Sequence, residues 1–296
     1  MNLKHLFPYL KERFSPVNMA LFTILFFTVM SASLYFAGQP FSFTWQEGLG
    51  IVATISFFFR LRVFDEIKDY ELDLVLHPDR VLQSGKISLR DLKILAALLS
   101  LSEIAWSWLM GTTTLICFAI VVAYSLLMRY EFFVSEFLKK RLVLYAFSHM
   151  LIMPLVILWL WTAWQPDFGL SQPLLVLMAL SVLGGFSFEL ARKIHAPQAE
   201  REGLDSYSKA LGYQGAIFAV LTVLLIGIGT QAHLLEQIGS RWWPYVLIGI
   251  IYALAVLIYL GAIKKPEQKK VRKAELVVSL FMLISYLSII IEIAAS

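Results

Sequence analysis

The sequence has little of what soluble proteins use to cross-link and solvate themselves. Its 296 residues include one cysteine, Cys117, set inside an apolar run. A disulfide framework is excluded, and the lone thiol argues against thiol chemistry. Charge is sparse as well: 16% of the residues are Asp, Glu, Lys or Arg, against about a quarter in an ordinary soluble domain. No small-residue cleavage pattern follows the first apolar run, so that run reads as a retained helix rather than a signal peptide.

Apolar residues fill the gap. They make up 59% of the chain, with 14% aromatic and a mean hydropathy of +0.73. Long apolar runs recur, so the bilayer is the main solvent and the chain must satisfy its backbone within helices. Nine spans are expected, at 17–37, 45–63, 93–110, 112–128, 142–162, 173–190, 212–231, 243–262 and 275–294. The break between the third and fourth rests on "MGTTT" alone. The expected fold is an all-α polytopic membrane protein with nine transmembrane helices around a central cavity.

The few cations are unevenly placed. With these spans, 24 of the 25 Lys and Arg residues fall on one side of the membrane, and only Arg241 falls on the other. The positive-inside rule then puts the N-terminus and the basic loops in the cytoplasm, and an odd number of spans puts the C-terminus outside. The net charge of +4 follows from this asymmetry. It suits membrane lipids with anionic headgroups and gives no argument for nucleic acid. Residues 1–16, with "MNLKHLFPYLKERF", pair apolar and basic groups as an interfacial segment does. Residues 17–296 read as one transmembrane domain.

Two cytoplasmic loops carry most of the polar chemistry, residues 64–92 and 191–211. The junctions leading into them, "FFFRLRVFDEIKD" and "FSFELARKIHAP", are both aromatic helix ends running into charge, four spans apart. This hints at a four-helix internal duplication with a ninth helix added.

"DEIKDYELD", residues 65–73, packs five carboxylates into nine residues. Residues four apart share a helix face, so Asp65, Asp69 and Asp73 form an acidic stripe with Glu66 beside it and Glu71 turned away. Like charges at this spacing repel and call for cations. Hard divalent ions bind through a few carboxylates together with substrate phosphates. The plain alternative is a solvated amphipathic helix, but charged groups this close to a membrane core are costly and tend to be functional. In "HPDRVLQSGKIS", residues 77–88, His77, Arg80 and Lys86 can donate to phosphate, and Gly85 permits a tight turn.

Taken together, "DEIKDYELD" and "HPDRVLQSGKIS" resemble the first signature of the UbiA-type intramembrane prenyltransferase superfamily, N-D-x-x-D-x-x-x-D with a downstream R-P-x-x-x-G-x-I-S-like stretch. Asp65 stands at the family's Asn and Glu66 at its first Asp. Asp69 and Asp73 match the remaining aspartates, Arg80 and Gly85 match downstream, and Val81 departs from Pro. The second signature of the family is an aspartate-rich loop after the sixth span, where this chain has "FELARKIHAPQAEREGLDSYSKALG". Glu189 stands for its first aspartate, but Arg192 and Lys193 fall where further carboxylates are expected. Glu200 and Asp205 remain as late ligands.

The resemblance implies a Mg²⁺-dependent enzyme that ionises an allylic prenyl diphosphate donor and passes the prenyl group to a lipophilic or aromatic acceptor. Asp65, Asp69 and Asp73 are the implied catalytic carboxylates. The implied metal ligands are these three with Glu66, Glu189, Glu200 and Asp205. The diphosphate would be met by Arg62, Lys68, Arg80 and Lys86, and by Arg192, Lys193 and Lys139, with Lys140 an alternative to Lys139. Glu103 in the third span and His149 in the fifth are intramembrane polar groups, suited either to acceptor binding and proton removal or to a structural bond between helices. The aromatic groups in "AWSWLM", "LWLWTAW" and "RWWPYV" are expected in an interfacial belt, and Glu292 is expected at the interface.

Other readings stay open: a terpene cyclase of the same family, a non-catalytic homologue that binds prenyl lipid, or a transporter whose acidic loop collects divalent cations. The expected location is a bacterial inner membrane, multi-pass, with the active site facing the cytoplasm. Acceptor, prenyl chain length and oligomeric state are not legible.

Overall fold

A computed structural model describes residues 3–167, 169–200 and 205–296. Arg201 and the Gly203–Leu204 start of "GLDSYSKALG" lie outside the described residues. The chain is 81% helix, and no strand occurs among the described residues. Eight helices among them are long and apolar enough to cross a membrane. They cover every expected span except 45–63. The fold divides into two compact units, Met1–Phe132 with Trp159–Phe168, and Phe133–Leu158 with Gly169–Ser296.

The first unit opens with the short helix α1, Leu6–Arg13. Next comes α2, Pro16–Phe36, whose start combines Pro16 with a Ser15 cap that accepts from the Asn18 amide. The third helix, α3, spans Trp45–Leu76. Its first turn is fixed by a capping box in which Thr44 and Glu47 satisfy each other's exposed amides. At 1.5 Å per residue, its 32 residues reach about 48 Å, well beyond a hydrocarbon core of about 30 Å. So α3 contains the residues expected as the second span, 45–63, and continues as helix through the whole acidic motif, until Pro78 stops it one residue after His77. Glu47, Arg60, Arg62 and the acidic run from Asp65 make α3 richer in charge than an apolar span-length window allows, which sets it apart from those eight helices.

Helices α4, Leu89–Met110, and α5, Thr112–Arg129, follow. Gly111 separates them at φ +118, a conformation side chains disfavour, so the "MGTTT" break is real. Packing between α3 and α4 is the most extensive in this unit. It depends on Gly50, because a Cβ there would lie 2.6 Å from the Phe26 ring and 2.7 Å from the Trp106 indole nitrogen. Trp106 meets Trp159 edge to face at 5.5 Å, and the Trp159 indole donates to Ser107 Oγ at 2.9 Å. The expected aromatic belt therefore needs correcting: Trp106, Trp159 and Trp161 are buried core, while Trp108 and Trp242 stay exposed.

The second unit contains α6, Ser135–Lys139, α7, Leu142–Met150, and α8, Ile152–Trp161, whose last residues belong to the first unit. Pro154 cannot donate to the Met150 carbonyl, and the fifth span is divided at Leu151. The remaining helices are α9, Gln172–Arg192, α10, Tyr207–Leu211, α11, Tyr213–Gln237, α12, Trp243–Lys264, and α13, Gln268–Ala294. The principal pairs are α9 with α11 and α12 with α13. Gln231 ties α11 to α13 by donating to the Ser285 carbonyl and Ser288 Oγ, both at 3.1 Å. Glu292, expected at the interface, is buried within the protein. It is 5% exposed and accepts from Ser240 Oγ, the Arg241 amide and guanidinium, and the Trp243 indole. This gathers the α11–α12 turn onto α13 and gives Arg241 a partner.

Candidate functional site

Helix geometry sets how the first motif is presented. At about 100° per residue, counted from Asp65, Asp69 lies near 40°, Asp73 near 80° and Glu66 near 100°, a single acidic arc. Exposure falls along that arc: the Asp65 side chain is 56% exposed, Asp69 is half-buried, and the side chains of Asp73 and Glu66 are 12% and 1% exposed. The gradient arises because α1 lies against the Glu66 end. Tyr9 of α1 is fully buried and donates to Glu66 at 3.4 Å. Phe14 packs against the Phe22 and Phe59 rings at 5.7 and 5.4 Å, and Glu12 accepts from the Val81 amide at 2.9 Å. The segment expected only to rest on the membrane surface is part of the motif's own packing.

Three arginines neutralise the buried end of the arc. Glu66 Oε1 accepts from Arg13 Nε at 2.7 Å and from Arg62 Nε and Nη2 at 3.0 and 2.7 Å. Asp73 Oδ2 accepts from Arg80 Nη1 at 2.6 Å and, at 3.5 Å, from Arg13 Nη2. The second Glu66 oxygen, Oε2, is buried and has no partner. Lys68 lies 3.8 Å from Glu131, which a turn of three left-handed residues, Glu131, Phe132 and Phe133, carries to the motif helix. Such backbone costs about 1–2 kcal/mol per residue outside glycine. Burial raises the Asp69 carboxyl above its usual range, opposed first by Lys68 and reinforced by Asp73. A bound cation would reverse that shift. Lys86 is exposed beyond the Gly85 turn, where φ is +76.

Among the described residues no three His, Cys, Asp or Glu side chains stand close enough to hold a metal by themselves. No described arginine pairs with Asp69 or the second Glu66 oxygen, and Asp65, 3.9 Å from Arg62 Nη1, keeps its exposed side chain only loosely paired; all three offer hard oxygens. That set suits Mg²⁺, which takes one or two carboxylates and completes its shell with water and phosphate.

In the second unit, Glu189 is buried at the end of α9, and its two neighbours on the same turn use it up. Arg192 pairs with one oxygen and Lys193 Nζ lies 2.9 Å from the other. Glu200 accepts from Ser206 Oγ at 2.8 and 3.0 Å and lies 3.9 Å from Lys209, while Asp205 is exposed. Tyr207 is fully buried with its hydroxyl unpartnered. Lys139 is exposed at the end of α6. Next to it, Lys140 and Arg141 border a cleft of about 530 Å³ lined by Phe147, Phe186 and Leu211.

Each intramembrane polar group bonds within its own unit. Glu103 is fully buried and spends both oxygens on α3, taking Ser56 Oγ at 2.7 Å and Arg60 Nη2 at 2.8 Å. Arg60 also donates to Ser125 Oγ at 3.1 Å, so this network joins α3, α4 and α5. His149 Nδ1 donates to the Tyr145 carbonyl at 2.8 Å, one turn back on α7. Sequence reasoning missed Tyr9, Arg13 and Glu131. The spacing of Tyr9 and Arg13, one helical turn apart, was a usable signal; Glu131 gave none, because no glycine marks its left-handed turn.

The chain matches the model of the UbiA prenyltransferase family over residues 24–285. No curated protein matches it at the sequence level. Among solved structures, it resembles one from work on digeranylgeranylglyceryl phosphate synthase in membranes, with a TM-score of 0.70 and 19% identity, covering 100% of this chain and 99% of that one. It also resembles the apo structure of a UbiA homologue from Aeropyrum pernix K1, with a TM-score of 0.65 and 21% identity, covering 92% of this chain and 97% of the other. At such identities the likeness speaks for the fold. With the family match across most of its length and the acidic arc in the family's register, the chain belongs to the UbiA prenyltransferase family.

Proposed function

We propose that the protein is a Mg²⁺-dependent intramembrane prenyltransferase that takes an allylic prenyl diphosphate at its cytoplasmic face and transfers the prenyl group to a lipophilic or aromatic acceptor. The observation that carries this reading is the α3 arc, with exposed Asp65 and half-buried Asp69 at one end and closely arginine-paired carboxylates at the other. Asp65, Asp69 and the free Glu66 oxygen are the candidate ligands, of which one or two would meet a given Mg²⁺ ion, with water and phosphate oxygens completing its shell. When bound, Mg²⁺ supplies positive charge against the diphosphate oxygens and so favours loss of diphosphate. Arg80, Lys86 and Lys68 are the proposed phosphate contacts of the first motif; Lys193, Arg192 and Lys139 are proposed as phosphate-binding groups within the second unit taken by itself. The bond from prenyl C1 to the diphosphate oxygen breaks with its electron pair on the leaving group, and the acceptor bonds C1 and gives up a proton.

The neighbour connected with digeranylgeranylglyceryl phosphate synthase keeps a glycerol phosphate acceptor in view beside aromatic rings and tetrapyrroles. Purified protein incubated with Mg²⁺, prenyl diphosphates of several chain lengths and a panel of these acceptors should release diphosphate and form prenylated product. Diphosphate release with a hydrocarbon product and no acceptor would indicate the cyclase reading. No release with any donor would overturn the enzyme reading.

A further inference from the structure

We propose that Arg13 of α1 is a positioning residue of the first acidic motif, holding Glu66 and Asp73 together so that one Glu66 oxygen stays available to the metal. This rests on the metal-dependent reading above. Arg62 presents a two-pronged guanidinium one turn from Glu66, and such a fork ordinarily pairs with both oxygens of a carboxylate. Here both prongs end on the same oxygen, Oε1, at 3.0 and 2.7 Å. Arg13 Nε reaches that oxygen too, at 2.7 Å, and Tyr9 adds a fourth donor at 3.4 Å. Four donors on one oxygen leave Oε2 buried without a partner, in a side chain only 1% exposed.

The other end of Arg13 reaches Asp73 two turns further along α3, at 3.5 Å. A single guanidinium thus spans the buried half of the arc. Without it, Arg62 is free to close as an ordinary bidentate pair, which consumes Oε2 and takes Glu66 out of the ligand set. Arg13 need not touch the substrate to do this; it acts through the carboxylate.

The test measures Mn²⁺ binding to the purified full chain by the loss of the free-ion electron paramagnetic resonance signal, with and without inorganic diphosphate. Arg13→Ala is expected to weaken Mn²⁺ binding by about 10–100-fold, as loss of an outer-shell partner does at other metal sites. Arg13→Lys keeps the charge but reaches one carboxylate at a time, and should fall between. Lys11→Ala, at an exposed position of the same helix, should bind as wild type. Unchanged binding in Arg13→Ala overturns the assignment, and so does tighter binding, which would make Arg13 a competitor for the carboxylates. Should Arg13→Ala fail to fold, Arg13→Lys decides: wild-type affinity there refutes the bridging role. A wild-type protein that binds no Mn²⁺ in either condition overturns both this proposal and the metal-dependent reading. Weaker binding in Arg13→Ala alongside a wild type that turns over no prenyl diphosphate upholds Arg13 and overturns only the transferase reading.

Discussion

Replacing Glu103 with glutamine separates a structural role from a chemical one inside the membrane. The Glu103 carboxylate is fully buried and 2.8 Å from the Arg60 guanidinium, whose side chain is 10% exposed. At an effective dielectric constant of about 20, unit charges at that distance attract by about 6 kcal/mol, most of it offset by the cost of desolvating both. Glutamine keeps the shape and the Ser56 bond but leaves Arg60 charged and buried without a counter-ion. Removing one partner of such a pair costs about 3–5 kcal/mol, whereas replacing both with apolar groups is close to neutral. Thermal unfolding in detergent, followed by tryptophan fluorescence, should therefore fall markedly for Glu103→Gln. The double change Glu103→Leu with Arg60→Met should recover most of the loss. Turnover per folded molecule should stay near wild type in the double variant, because Glu103 spends both oxygens on Ser56 and Arg60, and Arg60 donates to Glu103 and Ser125. A Glu103→Gln protein that unfolds at the wild-type temperature but has lost turnover would refute this reasoning and return Glu103 to the acceptor site.

The other expectations concern the motifs and the core. Asp69→Asn should lower metal-dependent diphosphate release by about a hundred-fold or more while the protein remains folded; retained activity would remove the arc from the chemistry. Lys193→Ala should raise the donor KM by about tenfold, the worth of one charge-assisted hydrogen bond, with the Mg²⁺ concentration for half-maximal rate unchanged; a shift in the Mg²⁺ requirement would mean Lys193 acts through a metal. Gly50→Ala should cost about 1–3 kcal/mol of stability by forcing apart Phe26 and Trp106, visible as a lower unfolding temperature and an altered tryptophan spectrum.

Much of the candidate site was legible because its signals are local. An i, i+4 acidic stripe needs only that residues 65–73 be helical, and α3 is continuous through them. The departure in the second motif was legible too: Arg192 and Lys193 lie within one turn of Glu189, and both pair with it. What misled was the treatment of polar and aromatic residues by membrane depth alone. Trp106 and Trp159 near an expected border look like a belt, yet their partners, Ser107 and Gly50, draw them into the core. For Glu103 the sequence leaves acceptor binding and a structural bond between helices side by side, because its partner, Arg60, lies 43 residues away on another helix.

The sequence by itself determined the helical spans, the charge asymmetry and the register of the acidic arc, since each follows from composition within a window or from the pitch of one helix. Only the tertiary structure decided which carboxylates on that arc stay open. Glu66 is buried by a helix 53 residues away, and Glu103 is neutralised across 43 residues. Pairings over such distances leave no period or spacing to read, because they are made by packing between helices rather than along one. Five carboxylates at a membrane helix end look alike in sequence. α1 and three arginines close one end of their arc and leave Asp65, at the other end, more than half exposed.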